Sequence, residues 1–422
     1  MNTAAAPRSR LRRRRRLLLV SGITLLLTIW LLQPRNAGRL LLWQAGNALG
    51  LDITAQSIDY RLRGTPHLEL HDAVARRPGD AAPLLQAKRL YLALPWRTVR
   101  SLGDELTLQR IVLESPVLNL PALQRWLATR PPSTTRIPAL THGLHVRDGR
   151  IDNDDWRIDQ LAIDIPDLQP RQRLRAHVQG RYQAPPLAIP VDLAVSLVTP
   201  QRLLDGQRAG IAGIGKMQLQ GAGWQAPMQV FLAGPLRIGR DSALLQPARL
   251  GLAGHYQAGP TRLPFRLGLH GPMAFNNASW RFVPATVVLT GDGKLLPNAQ
   301  ARGSVTLGQR LRLQLDGHLA HWPRDWPALP APLAASQSPM PFSVRYQGAL
   351  AFGDAANLSL RRDATRFEAR FRLPDVLAWL DSGATGPPLP PLTGTLTTPR
   401  IKLDGVTLEG VDIQLDEPPS AR

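Results

Sequence analysis

Cysteine is absent from the 422 residues, so the chain has no disulfide, no thiolate metal site and no cysteine nucleophile. Aromatic residues make up 5% of the chain, and lysine is far outnumbered by arginine. Acidic side chains total 31 against 51 basic ones, and they fall in turns or at alternate positions along apolar stretches. No spacing sets two carboxylates up for acid–base work. Long helices are disfavoured by 39 prolines and 35 glycines, which call for many short elements joined by turns. The apolar 44% is mostly Leu, Ala, Val and Ile, enough for a sizeable core or an apolar groove.

Several fragments come close to motifs and stop short. Gly210-Ile211-Ala212-Gly213-Ile214-Gly215-Lys216-Met217 spaces its glycines and lysine like a phosphate loop. Met217 stands where a magnesium-binding hydroxyl belongs, and a strand follows instead of a helix, so the stretch reads as a glycine-rich hairpin loop. Asp152-Asn153-Asp154-Asp155 lacks the turn glycine and the distal glutamate of a calcium loop and reads as a solvated turn. His67 and His71 share one strand face without a nearby third ligand. No nucleophile elbow, zincin motif or dinucleotide fingerprint occurs. The expectation is a protein that is not an enzyme, with no catalytic residue, no cofactor and no metal.

The N-terminus is more informative. Seven arginines within residues 8–16 run directly into an uncharged apolar stretch from Leu17 to Leu32, closed by Gln33-Pro34. About 16 helical residues span roughly 24 Å, a little short of a ~30 Å hydrocarbon layer. Trp30 suits the headgroup level at one end, and the arginines can snorkel at the other. A cleaved signal peptide would need small residues just after the apolar core, where Gln33, Pro34, Arg35 and Asn36 stand. The segment therefore reads as an uncleaved signal anchor with its N-terminus in the cytoplasm and the bulk of the chain across the membrane. The arm supplies about a third of the net charge of +20, and topology explains it without nucleic acid. The remaining positive charge is diffuse and would favour anionic headgroups only weakly.

Beyond the anchor, residues 34–49 read as an amphipathic helix with Ala37, Leu40, Leu41, Ala45, Ala48 and Leu49 on one face and Gly50 as its cap. Period-two alternation then takes over, as at Leu90-Tyr91-Leu92-Ala93-Leu94 and Leu311-Arg312-Leu313-Gln314-Leu315, and recurs evenly to residues 401–408. Asp148-Gly149 carries a hairpin signal. Residues 130–138 and 328–341 are Pro-rich breaks. Residues 120–127 and 373–380 share a proline, a helical turn and a Trp-Leu pair, each suited to covering the end of a sheet.

This order of elements resembles the AsmA-like family of bacterial envelope proteins. The resemblance rests on the basic start, the single anchor, the short helix, Leu51-Asp52-Ile53-Thr54-Ala55-Gln56-Ser57-Ile58-Asp59-Tyr60, and the stretches at 84–94 and 108–120. Residues 391–396 and 401–411 look like the family's C-terminal repeat. It implies a mainly β fold in which a single transmembrane helix precedes an extended, curved antiparallel β-groove with a few short helices. The corresponding division is a basic cytoplasmic N-terminus (1–16), a transmembrane signal anchor (17–33), an N-terminal helix-and-strand region (34–130) and a continuing β-rich periplasmic region (131–422).

The implied function is cell-envelope biogenesis at the inner membrane, binding or transferring phospholipid or another envelope lipid through the groove. The alternative is a non-enzymatic scaffold for outer-membrane assembly, acting through contacts with envelope assembly proteins. Candidate groove residues are Leu90, Leu92, Leu94, Leu311, Leu313 and Leu315, and no nucleic-acid partner is expected.

Overall fold

The computed structural model describes residues 42–415 with short gaps, the longest at 101–106, 130–136, 324–333 and 383–390. The basic arm, the apolar segment at 17–33 and most of the Pro-rich breaks lie outside the described residues. Among the described residues no helix is long and apolar enough to cross a membrane.

The protein is mainly β. The N-terminal strands are β1 (Asp52–Thr54), β2 (Ser57–Arg61), β3 (His67–Arg76), β4 (Leu85–Ala93), β5 (Thr107–Leu108), β6 (Arg110–Glu114), β7 (Val117–Asn119), β8 (Ala139–Leu140) and β9 (Leu144–Asp152). A long meander follows: β10 (Arg157–Ile165), β11 (Leu174–Ala184), β12 (Leu187–Leu197), β13 (Ala209–Gly221), β14 (Trp224–Ile238), β15 (Ser242–Ala258), β16 (Thr261–Asn276) and β17 (Ser279–Thr290). It continues through β18 (Ala299–Leu307), β19 (Leu311–Leu319), β20 (Met340–Gly348), β21 (Ala355–Arg362), β22 (Thr365–Arg372), β23 (Leu392–Leu403) and β24 (Val406–Leu415). Short helices are α1 (Trp96–Arg100), α2 (Leu120–Ala128), α3 (Gln201–Leu204) and α4 (Leu373–Ser382).

Twenty-two strands form one curved sheet, and β5 pairs separately with β8. The strands β1 and β2 share one row against β3, and β6 and β7 share one row against β4. From β9 onward each strand pairs antiparallel with the next, ending at β24. At about 4.8 Å per row the sheet path is roughly 90 Å. The antiparallel expectation needs one correction, because β6 and β7 pair parallel with β9. The chain leaves β7 through α2 and must return to the opposite end of the sheet before β9 begins, as a parallel neighbour requires.

Two seams of irregularity bend the sheet. In the first, Asp72, Ser115, Asp148 and Gln160 have φ between 45° and 52° on neighbouring strands, and the Ser115 hydroxyl donates to Asp148 at 3.2 Å. In the second, register shifts cross β14 to β18 between Ala233/Leu236, Leu245/Ala248, His270/Met273 and Phe282/Ala285. An extra residue bends its strand and raises the local twist, so aligned bulges curve the whole sheet. The curl is toward the apolar side. A Cβ at Gly317, on that side, would lie 2.0 Å from the Gln300 carbonyl oxygen, whereas one at Gly268 on the other face meets nothing nearer than 3.9 Å.

Near the N-terminal strands helical residues cover the apolar side. In α2, Asn119 caps the start by accepting the Ala122 N–H at 2.9 Å, and the Thr129 hydroxyl closes the end on the Trp126 carbonyl. Ala122, Leu123 and Trp126 pack over Leu51, Leu84, Leu85 and Leu118, while the indole N–H reaches the Leu49 carbonyl at 2.9 Å. Leu42 lies over Leu70 and Ala73, against Leu68 and Leu90.

Four local expectations change. Asp148-Gly149 is a bulge inside β9, because Asp148 takes the left-handed conformation without reversing the chain. The glycine-rich 210–217 stretch lies within β13, where pairing to β12 and β14 holds it extended. The stretch 401–408 belongs to two strands, β23 and β24, and Leu403 pairs with Val406. Near residue 42 the side facing the sheet carries Leu42 and Gly46, and Leu49 is 38% exposed, while Ala37, Leu40, Leu41, Ala45 and Ala48 of the expected face lie outside the described residues. Gly46 sets this orientation, since a Cβ there would lie 2.5 Å from the Leu51 carbonyl oxygen. Asp152 to Asp155 do fall at the turn between β9 and β10.

Candidate functional site: an open apolar face

Strand alternation puts every second side chain on one face, and cross-strand partners share that face. The register therefore traces the surface. Starting from Ile58, successive partners are Leu70, Leu90, Leu113, Val146, Ile163, Val178 and Leu193. The line continues through Gly215, Val230, Leu252, Leu267, Leu289, Ala299, Leu319 and Met340. Sixteen consecutive rows place no polar side chain on it. A neighbouring line carries on to the edge through Gly317, Phe342, Leu360, Phe367, Leu396 and Ile413.

No second sheet layer covers this face among the described residues. Leu193, Val230, Leu252 and Leu267 are accordingly half-buried, although they sit mid-strand in the middle of the sheet. Burial is deeper toward the bulged end of the strands, where Leu245, Ala248, Leu269, Met273, Phe282 and Ala285 form the largest buried cluster. The stripe is thus a trough with a packed side and an open middle.

The six leucines expected to line the groove fall in two groups. Leu90 and Leu92 lie half-buried on β4; Leu94 is half-buried just beyond the strand, its N–H donated to the Pro66 carbonyl at 2.7 Å. Leu311 is 8% exposed, and Leu313 and Leu315 are half-buried on β19. Eleven rows separate the groups, roughly 60 Å along the sheet. They belong to one face but not to one local pocket. The residues between them, such as Leu193, Val230 and Leu252, were signalled by the same alternation and complete the stripe.

The opposite face is polar and changes character along the chain. On the N-terminal strands Arg89 bridges Glu69 and Glu114, the second at 2.9 Å, and His71 approaches Asp59 and Glu69 at 3.5 and 3.4 Å. The hydrogen bond from Arg89 holds the Glu69 carboxyl below its ordinary pKa. His145 pairs with Asp164 at 2.8 Å, and Asp192 is held low by its hydrogen bond to His177. His67 packs at a tilt against Tyr91, 5.3 Å between ring centres. Among the described residues no group of three His, Cys, Asp or Glu could hold a metal ion. Lys216 points from β13 to this exposed polar face, away from the apolar stripe. No protein-family model matches the chain, nor does any curated protein or solved structure.

Proposed function

We propose that the protein is a membrane-anchored component of the bacterial cell envelope, AsmA-like in character, that shelters lipid acyl chains on the apolar face of its sheet. The observation that carries this reading is the sixteen-row apolar line, whose middle rows at Leu193, Val230, Leu252 and Leu267 are half-open to solvent. Sheltering hydrocarbon there removes both protein and acyl surface from water, worth about 25 cal/mol per Å² of apolar area. Headgroups would stay at the strand ends, where Trp156 packs with Tyr182 and Trp224 stacks on Tyr256, each pair at 5.7 Å. Such rings present an apolar body and a polar tip. The basic arm and apolar segment at the N-terminus support an inner-membrane anchor with the sheet in the periplasm.

The test is to purify wild type, Leu92→Glu and Leu313→Glu and compare circular dichroism with bound phospholipid. Lipid on the wild type, with folded variants that lose it, supports the reading. Unfolded variants and a lipid-free wild type would mean that the leucines serve a protein core.

A scaffold role has its own support in the free edge of the sheet. Among the described residues β24 pairs only with β23, and its Val406 and Leu408 are 59% and 44% exposed. An edge of this kind can accept a strand from an envelope assembly partner.

A further inference from the structure

The polar face holds a feature that the lipid trough does not use. In the middle strands its side chains stop being polar: Ile214 is 61% exposed, Phe231 43% and Val288 43%. The three lie on one register line, Ile214–Phe231–Gly251–Gly268–Val288, which crosses β13 to β17. Gly251 and Gly268 leave the space between Phe231 and Val288 open, with nothing nearer than 3.8 and 3.9 Å to an added Cβ.

Basic residues flank this strip on both sides. One neighbouring line carries Lys216 and Arg266, the other Arg249, His270 and Arg302, all exposed. Among the described residues Arg249, Arg266 and Arg302 make no ion pair, unlike Arg89, His71 and His145 of the N-terminal strands. Three carboxylates face the same area, and Asp164, which lines a hollow beside the strip, is paired with His145 at 2.8 Å. Asp192, beside Lys216, is already hydrogen-bonded by His177 and Gln179, and Asp316 lies beside Arg302. The shallow hollow, of about 500 Å³, extends the apolar strip toward Arg173 and Arg175.

We propose that this face docks on an anionic bilayer surface, with Ile214, Phe231 and Val288 entering the headgroup layer and the flanking arginines meeting lipid phosphates. An apolar strip with unpaired basic margins matches an interface that is oily below and negative above. The five strands from β13 to β17 span about 19 Å, a broad patch and not a channel for a single strand. The exposed aromatic content is one phenylalanine, too little to stack bases. The strip lies on the face opposite the lipid trough and does not depend on it.

The absence of native cysteine makes the test direct. Full-length Phe231→Cys and Val288→Cys, each in a phosphatidylcholine nanodisc and carrying a polarity-sensitive dye, are mixed with phosphatidylcholine vesicles with or without an equal amount of phosphatidylglycerol. The expected result is a blue shift at both positions with phosphatidylglycerol alone, reversed by salt. Arg249→Glu/Arg266→Glu/Arg302→Glu should weaken vesicle binding roughly 100-fold, at about fivefold per basic residue. Reversing Arg61, Lys88 and Arg110 instead should leave it within about twofold. A dye that stays water-like on both vesicles overturns the proposal, as does unchanged binding by the triple variant. Capture by a DNA duplex without response to phosphatidylglycerol would assign the strip to a soluble polyanion and overturn it equally.

Discussion

The N-terminal strands and the middle of the sheet use the same alternation for opposite ends. Around β3 and β4 the apolar face is covered by Leu42 and α2, and the polar face carries the Glu69–Arg89–Glu114 bridge and the His71–Asp59 pair. From β13 to β19 the apolar stripe is half-open, and the polar face carries arginines without carboxylate partners. An amphipathic sheet normally buries one face and solvates the other. The first region does so by itself. The second leaves both faces partly unsatisfied.

The largest effect should separate the two regions by stability. Leu70 is 2% exposed beneath Leu42, so Leu70→Ala should cost about 2–5 kcal/mol in denaturant unfolding. Leu252→Ala on the half-open stripe should cost less than half of that, because less buried volume is vacated. Equal losses would erase the distinction between a covered and an open face.

A smaller contrast lies between the two faces of the same strands. Gly317→Ala drives a Cβ to 2.0 Å from the Gln300 carbonyl and should cost about 1–3 kcal/mol. Gly268→Ala has room and should stay within about 0.5 kcal/mol. Comparable losses at both would remove the evidence that the sheet curls toward its apolar side.

Much of this was legible in the alternation. The strands at Leu90–Leu92 and Leu311–Leu315, the turn at Asp152–Asp155 and the helix after Asn119 follow from spacing, turn residues and the proline at the helix start. The bulges were not legible. Asp148-Gly149 has the composition of a hairpin turn, and only the pairing of flanking Arg147 and Arg150 to Glu114 and Val117 on one side, and of Gly149 to Leu161 on the other, makes it a kink in a continuing strand. The glycines of 210–217 misled for a related reason: local chain freedom suggests a loop until two neighbours supply a ladder. The site was half legible, since alternation identifies the apolar face but says nothing of what covers it. That Leu90 lies under Leu42 while Leu252 is half-open depends on contacts between distant parts of the chain.

The charge contrast gives a pH-dependent prediction. The folded pKa of Glu69 is lowered below 4.5 chiefly by the Arg89 hydrogen bond, so its stabilisation is present above that value and is lost as pH falls through the folded pKa. Glu69→Gln should cost about 1 kcal/mol near neutrality, discounted for partial exposure of the pair. Wild type and variant should converge in acid. A gap that persists below the folded pKa would show that the carboxylate charge is not responsible.

The smallest effect is expected at Lys216. It is exposed on β13, so Lys216→Ala should shift stability by no more than about 0.5 kcal/mol and leave the protein indifferent to nucleotide. Nucleotide-dependent stabilisation lost in this variant would revive the phosphate-loop reading.

Photocrosslinking in intact cells tests the open trough most directly. A benzophenone side chain placed at Leu252 or Leu267 should yield phospholipid adducts, identified by mass spectrometry, while the same group at Leu70, beneath Leu42, should yield none. Protein adducts along the stripe without lipid, or lipid adducts at Leu70 equal to those at Leu252, would contradict a lipid-sheltering face.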